Sequence, residues 1–199
     1  MNFNPEKYKD FYFETAKKLL LTPSPSGYYK EVMQVVKDYA EALGADFSMT
    51  RKGCAILSVK GEDHSRTLGL SAHCDTLGAM IRGISSNGEI TFSKVGGPQL
   101  PTLDGEYCTI ITRGGKRYTG TFLSKSPSSH VYPDAATRPR DDGNMYVRLD
   151  EVVKSAKDVR ALGIESGDYI CIDPKTTVTE SGFLKSRFID DKASVACFI

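Results

Sequence analysis

The chain has 199 residues, of which 40% are hydrophobic and 26% are charged, and its formal net charge is +1. This composition is typical of a folded globular protein, and the length suffices for one large domain or two small ones. The balanced charge gives no long-range field for nucleic acid, and no run approaches the roughly 18 apolar residues of a membrane span. We therefore expect neither nucleic acid nor a membrane as a partner.

The N-terminal residues lack the basic stretch and apolar run of a secretory signal. The five cysteines, whose number is odd, are widely scattered and form no CxxC pair, which argues against a disulfide framework. These features predict a cytoplasmic protein whose cysteines are small buried apolar residues rather than ligands or nucleophiles.

Two helices are predicted before any strand. Apolar residues at steps of three and four follow Pro5 and end before Thr22-Pro23, and a second such series ends at Gly44. The segment Pro23 to Gly27 predicts a rigid turn between the helices. A hairpin is then predicted from Phe47 to Lys60.

The apolar run from Thr67 to Ala72 predicts a buried strand, with His73 at its C-terminal end. From about residue 79 to 177 short apolar runs alternate with Gly turns, which predicts a small β-rich domain. Within that domain we predict a helix over Asp150 to Leu162, an exposed loop over Pro133 to Asp142 and a strand over Tyr169 to Ile172.

Two clusters of residues are candidates for chemistry. In an extended segment His73 and Asp75 point to the same side, so the carboxylate can orient the imidazole as carboxylates do for metal-ligating histidines. Asp190-Asp191 is in isolation a typical helix start, with an N-cap and a favourable helix-dipole charge. Paired with His73, however, Asp190 can be a carboxylate that bridges two divalent ions.

Four motifs occur in an order that resembles the tetrahedral aminopeptidase family, whose members include glutamyl and deblocking aminopeptidases. The motifs are Thr22-Pro23-Ser24-Pro25-Ser26-Gly27, Ala72-His73-Cys74-Asp75-Thr76-Leu77-Gly78, Ala161-Leu162-Gly163-Ile164-Glu165-Ser166-Gly167-Asp168 and Phe188-Ile189-Asp190-Asp191-Lys192. The resemblance covers nearly the whole chain, and Lys192 stands where many relatives have Arg.

The resemblance implies an α/β fold. A partial metallopeptidase catalytic domain, with a parallel-type mixed sheet and flanking helices, is interrupted by an inserted β-rich, barrel-like dimerisation domain. The implied boundaries are 1–78 and 177–199 for the catalytic domain and 79–176 for the insertion.

The resemblance also implies the roles of the site residues. His73 and Asp190 are metal ligands, Asp190 being the bridging one, while Asp75 is the catalytic-site carboxylate that holds His73. Two divalent ions, zinc or cobalt, activate a water that hydrolyses the N-terminal bond of short peptides. His64 and His130 match no ligand position, and we expect His64 to be solvated and His130 to pack or form a hydrogen bond within the β-rich domain.

By the same resemblance two glutamates, an aspartate and a histidine of the catalytic set follow beyond Ile199. We therefore expect this chain to be the N-terminal part of a longer enzyme and to be inactive alone. The implied homo-oligomer is a dimer that builds a twelve-subunit shell.

The sequence leaves two other classes of function open. One is a non-catalytic assembly module, and the other is a glycoside hydrolase, since some members of the family were once labelled endoglucanases. A glycosidase normally needs two acids that face the sugar. The HxD segment His73-Cys74-Asp75, together with Asp190, suits metal chemistry better.

Overall fold

The computed structural model describes residues 4–63 and 65–199, so the expectation for His64 lies outside the described residues. Contacts divide the chain into two units, of which the first runs to Thr76 and resumes with Pro174–Ile199, and the second is Leu77–Asp173. The sequence predicted breaks after residues 78 and 176. The assignment of the units to a catalytic and a dimerisation domain stays a prediction.

The first unit contains helices and short strands, which confirms its predicted α/β character. Its helices are α1 (Lys9–Leu21), α2 (Lys30–Leu43) and α4 (Ile189–Phe198), and its strands are β1 (Asp46–Met49), β2 (Ala55–Ser58), β9 (Thr177–Val178) and β10 (Leu184–Lys185). A 3-10 turn, Pro5–Tyr8, leads into α1. Gly44 ends α2 in the left-handed conformation, with φ of 73°, as its position after the apolar series predicted.

One core holds this unit together. Buried side chains from α1, α2, α4 and the HxD segment form a single apolar cluster: Ala16, Leu19, Val32, Val36, Cys74, Val195 and Ala196.

The predicted hairpin is confirmed as the antiparallel pair β1 and β2, in which Phe47 lies opposite Leu57. The first two helices and the hairpin were therefore predicted correctly.

The strand predicted over Thr67 to Ala72 is wrong. The segment has no strand assignment, and Leu68 and Leu70 are exposed. A strand needs a neighbour to accept and donate its backbone hydrogen bonds, and within the described residues none pairs with this segment. The predicted parallel-type sheet is likewise not formed in these residues, whose one parallel pairing is the isolated bridge between Pro25 and Thr76.

The second unit is a closed six-stranded barrel. Its strands are β3 (Gly78–Ile84), β4 (Ile90–Val95), β5 (Tyr107–Ile111), β6 (Arg117–Ser124), β7 (Met145–Leu149) and β8 (Tyr169–Ile172), and the order around the barrel is β3-β4-β7-β6-β5-β8. Every neighbouring pair is antiparallel. The predicted β-rich character and the strand at Tyr169–Ile172 are confirmed.

The barrel interior is filled by apolar side chains. Ile90, Phe92, Ile110, Phe122, Val147 and Ile170 have no exposed surface. The rings of Phe92 and Phe122 meet edge to face, with centroids 5.1 Å apart. The barrel is thus a packed core rather than a channel.

The helix of the second unit is shorter than predicted, because α3 covers only Ala156–Ala161. Ser155 has extended backbone angles, and its hydroxyl accepts a hydrogen bond from the Asp158 backbone amide. It is therefore the N-cap, and residues 150–154 lie outside the helix. The described helices include none with the length and apolar character of a membrane span.

Candidate metal site around His73

The imidazole of His73 is held between two aspartates of the first unit. Its Nδ1 lies 3.1 Å from the backbone carbonyl oxygen of Asp75 and 3.1 Å from Oδ1 of the same residue. Its Nε2 lies 3.2 Å from Oδ1 of Asp190, a residue 117 positions away in the sequence. The structure therefore brings together all three residues that the sequence singled out.

The electrostatics of His73 follow from these contacts. Partial burial alone lowers its pKa, but the Asp75 carbonyl and the carboxylates of Asp75 and Asp190 outweigh burial, and the pKa of His73 is raised. Both ring nitrogens face oxygen acceptors, so the ring is suited to carry a second proton. A divalent cation can take the place of that proton on Nε2 and bind Asp190 as well.

The turn that follows α1 holds the HxD segment in position. The buried hydroxyl of Ser24 donates to the Cys74 carbonyl at 2.7 Å, and the backbone amide of Thr76 donates to the Ser24 carbonyl at 2.8 Å. The hydroxyl of Ser26 donates to Oδ2 of Asp75 in a short hydrogen bond. The serines of this turn thus fix the carboxylate that contacts His73.

Asp190 and Asp191 precede the regular part of α4. Their backbone angles are not helical, with ψ of 108° and 22°, and the peptide bond between them is cis. The Asp190 side chain is 94% exposed, so its carboxylate is open to solvent except towards His73. The buried Lys192 follows, and its ammonium donates to the carbonyls of Leu19 and Thr22 at 2.8 and 2.7 Å.

The chemistry of these donors fits a divalent ion, although the set is small. A neutral imidazole nitrogen and a carboxylate are ligands that zinc and cobalt accept in proteins. Within residues 4–63 and 65–199, however, no group of three or more His, Cys, Asp or Glu side chains is arranged to hold a metal. His73 and Asp190 can therefore supply part of a coordination shell, with Asp75 behind the imidazole.

The cysteines divide by burial. Cys74, Cys108 and Cys171 are buried, as expected for small apolar residues, but Cys54 and Cys197 are exposed, which corrects that expectation for these two. Cys54 directly precedes β2, and Cys197 lies in the last turn of α4 beside the Tyr12 hydroxyl.

Thiol labelling is expected to separate these two groups. Burial raises the pKa of the Cys74 thiol to about 11 and the pKa of Cys108 further, so both remain protonated and covered at pH 8. We expect Cys54 and Cys197 to react with a disulfide reagent within minutes, and the three buried thiols to react only in denaturant. Mass spectrometry of the labelled peptides gives the sites, and fast labelling of Cys74 in the native chain would contradict the packing of the HxD segment.

His130 was expected to pack or form a hydrogen bond within the β-rich domain, and the expected packing is wrong. It is exposed, in the turn before Val131, where the chain leaves the barrel strands between β6 and β7. Sequence reasoning also missed the contacts of Ser24, Ser26 and Lys192. Their presence in the first and last of the four motifs was the one available signal, because a serine-rich turn and a lysine beside two acids are ordinarily exposed.

Comparison with known proteins identifies relatives of this chain. A family model described as M42 glutamyl aminopeptidase matches residues 53–199. The Bacillus subtilis (strain 168) protein named "Putative aminopeptidase YhfE" is 42% identical over 186 residues, which are 94% of this chain and 54% of that protein. The lysyl aminopeptidase of Pyrococcus furiosus is 26% identical over 192 residues, covering 94% of this chain and 53% of the relative.

Solved structures resemble the fold as well. The aminopeptidase APDkam598 of the archaeon Desulfurococcus kamchatkensis superposes with a TM-score of 0.81 at 25% identity, covering 95% of this chain and 50% of that one. This chain thus spans about half the length of the relatives it matches. The family model covers well over half of the chain and one relative exceeds 40% identity, so the chain belongs to the M42 glutamyl aminopeptidase family.

Proposed function

We propose that the chain is the N-terminal part of a metal-dependent aminopeptidase, which removes the N-terminal residue of short peptides. The observation that carries the proposal is the approach of His73 Nε2 to Asp190 Oδ1, at 3.2 Å across 117 residues of sequence. An imidazole and a carboxylate meeting at an open surface, in a chain of an aminopeptidase family, are suited to share divalent ions.

Each residue has a distinct part in this proposal. His73 would hold one ion through Nε2, and the Asp75 carboxylate accepts a hydrogen bond from Nδ1–H, which fixes the tautomer and orientation of the ring. Asp190 would be the ligand that the two ions share. When bound, the ions supply an activated water and polarise the scissile carbonyl.

The chain by itself is expected to lack aminopeptidase turnover. His73 and Asp190 are two of about five protein ligands that a two-metal site needs, and no general base is assigned among the described residues. Peptide substrates, a native metal of zinc or cobalt, and a homo-oligomer built from dimers through the barrel are proposed for the longer protein. The glycoside hydrolase alternative is less well supported, because the His73 imidazole lies between the carboxylates of Asp75 and Asp190, an arrangement that suits metal binding better than hydrolysis of a sugar.

Titration of metal into the chain tests the proposal. Zn²⁺ and Co²⁺ are added to the metal-free chain in a calorimeter, beside His73→Ala, Asp190→Ala and the control His130→Ala. We expect weak binding that the first two substitutions abolish and the control leaves intact, because only the first two remove a donor.

Hydrolysis of aminoacyl-nitroanilides is followed in the same samples. We expect none, since the catalytic set is incomplete. Binding that both His73→Ala and Asp190→Ala leave unchanged would mean that these residues are structural, and the assembly-module alternative would then be favoured.

A further inference from the structure

Lys192 is a charged side chain in an unusual position, with 1% of its surface exposed. Its ammonium donates to the Leu19 carbonyl at 2.8 Å and the Thr22 carbonyl at 2.7 Å. Both acceptors lie at the C-terminal end of α1, where the helix dipole favours a cation, and the Leu19 carbonyl also accepts from the Thr22 backbone amide at 3.2 Å. A buried cation held this way fixes the backbone that carries it.

That backbone also carries Asp190 and Asp191, the residues immediately before Lys192. Because their backbone angles are not helical, the regular conformation of α4 does not hold Asp190 in place. The direction of the Asp190 carboxylate therefore depends on what anchors the chain beside it. Two buried side chains lie two residues from Asp190, Phe188 before it and Lys192 after it, and Lys192 is hydrogen-bonded to the end of α1. The Asp190 side chain itself is 94% exposed.

The C-terminal end of α1 also leads into the turn that binds the His73-Cys74-Asp75 segment. Thr22, whose carbonyl accepts from Lys192, is followed by Ser24 and Ser26, which bind the Cys74 carbonyl and the Asp75 carboxylate. The two chain segments that meet at His73 and Asp190 are thus tied to one short turn.

We infer that Lys192 is a positioning residue, which sets Asp190 against His73 by binding the end of α1. This inference rests on the proposed function, because positioning Asp190 matters only if Asp190 binds metal. The contact between His73 and Asp190 can nevertheless be measured in the metal-free chain. Supporting groups of this kind typically change metal affinity by about 10- to 100-fold when they are removed.

The first test is the ¹⁵N signal of the His73 ring in the metal-free chain at a fixed pH. The chain has three histidines, so His73→Gln assigns the signal, and exposed His130 serves as an internal reference. Asp190→Asn gives the signal of a His73 ring whose Nε2 no longer faces a carboxylate. We expect Lys192→Met to move the His73 signal towards that of Asp190→Asn, and Lys192→Arg to restore most of the native signal.

The matched control is Lys17→Met, which makes the same change at an exposed lysine of α1 and is expected to leave the His73 signal unchanged. If Lys192→Met does not fold, as judged by far-ultraviolet circular dichroism, Lys192→Gln replaces it, because an amide keeps one donor for the two carbonyls. A native His73 signal in the folded Lys192 variant overturns the inference.

Cobalt titration of the same variants separates this inference from the proposed function. We expect Lys192→Met to lower the Co²⁺ affinity at least 10-fold and to alter the visible spectrum of bound Co²⁺, while Lys192→Arg retains both. Absence of Co²⁺ binding by the native chain contradicts the metal site. An unaltered affinity and spectrum in Lys192→Met, with binding lost in Asp190→Ala, contradicts only the role of Lys192.

Discussion

Replacing Phe122 by alanine is expected to lower the free energy of unfolding of the barrel by about 3–5 kcal/mol, the range measured for large-to-small changes at fully buried aromatic positions. Phe122 has no exposed surface, and its ring packs edge to face on Phe92. About 1 kcal/mol of the loss comes from the aromatic pair, and the rest from lost apolar burial and the cavity left behind.

Guanidinium unfolding followed by circular dichroism measures this loss. The control is Phe183→Ala, which removes the same ring from a side chain that is 72% exposed, and its effect is expected to stay within about 0.5 kcal/mol. A loss below about 1 kcal/mol for Phe122→Ala would mean that the interior of the barrel rearranges to fill the cavity.

A fragment of residues 77–173 is expected to fold cooperatively on its own. In the closed order β3-β4-β7-β6-β5-β8 every strand has a neighbour on both sides, so the fragment leaves no edge unpaired. The unit also has its own buried core, including Ile110 and Val147. Dispersed amide signals in an NMR spectrum and a single unfolding transition are the expected results.

A matched fragment of residues 77–168 ends before β8, and tests the reason for this expectation. Without β8 the barrel opens, and both β3 and β5 lose a neighbour. We expect this shorter fragment to aggregate or remain unfolded. Equal stability of the two fragments would show that closure does not hold the barrel together, and an unfolded longer fragment would show that the barrel depends on the rest of the chain.

The sequence predicted the local elements well where the signal was local. Helices α1 and α2 follow from apolar spacing, and the end of α2 follows from Gly44, a residue suited to the left-handed conformation observed. The start of α3 also has a local signal, which is the capping pair of Ser155 and Asp158 three residues later. The predicted helix was too long because this capping pair was overlooked.

Failures arose where structure depends on distant partners. Thr67 to Ala72 has the composition of a buried strand, yet composition cannot provide the neighbour that a strand must pair with. The site residues His73, Asp75 and Asp190 were found through their motifs, and the structure places them in contact. The position of Lys192 under α1 could not be predicted, because nothing local distinguishes a buried lysine from an exposed one.

The pairing of the first and last barrel strands has a consequence for how quickly the site can assemble. Ala79 lies opposite Ile170, so the long insertion begins and ends at one place. Once the barrel has formed, the path of chain between His73 and Asp190 is shortened roughly fourfold, and the entropy cost of bringing the two together falls by roughly 1 kcal/mol. Folding of the barrel thus converts the most distant contact of the candidate site into a nearly local one, and the order of events should run from barrel to site.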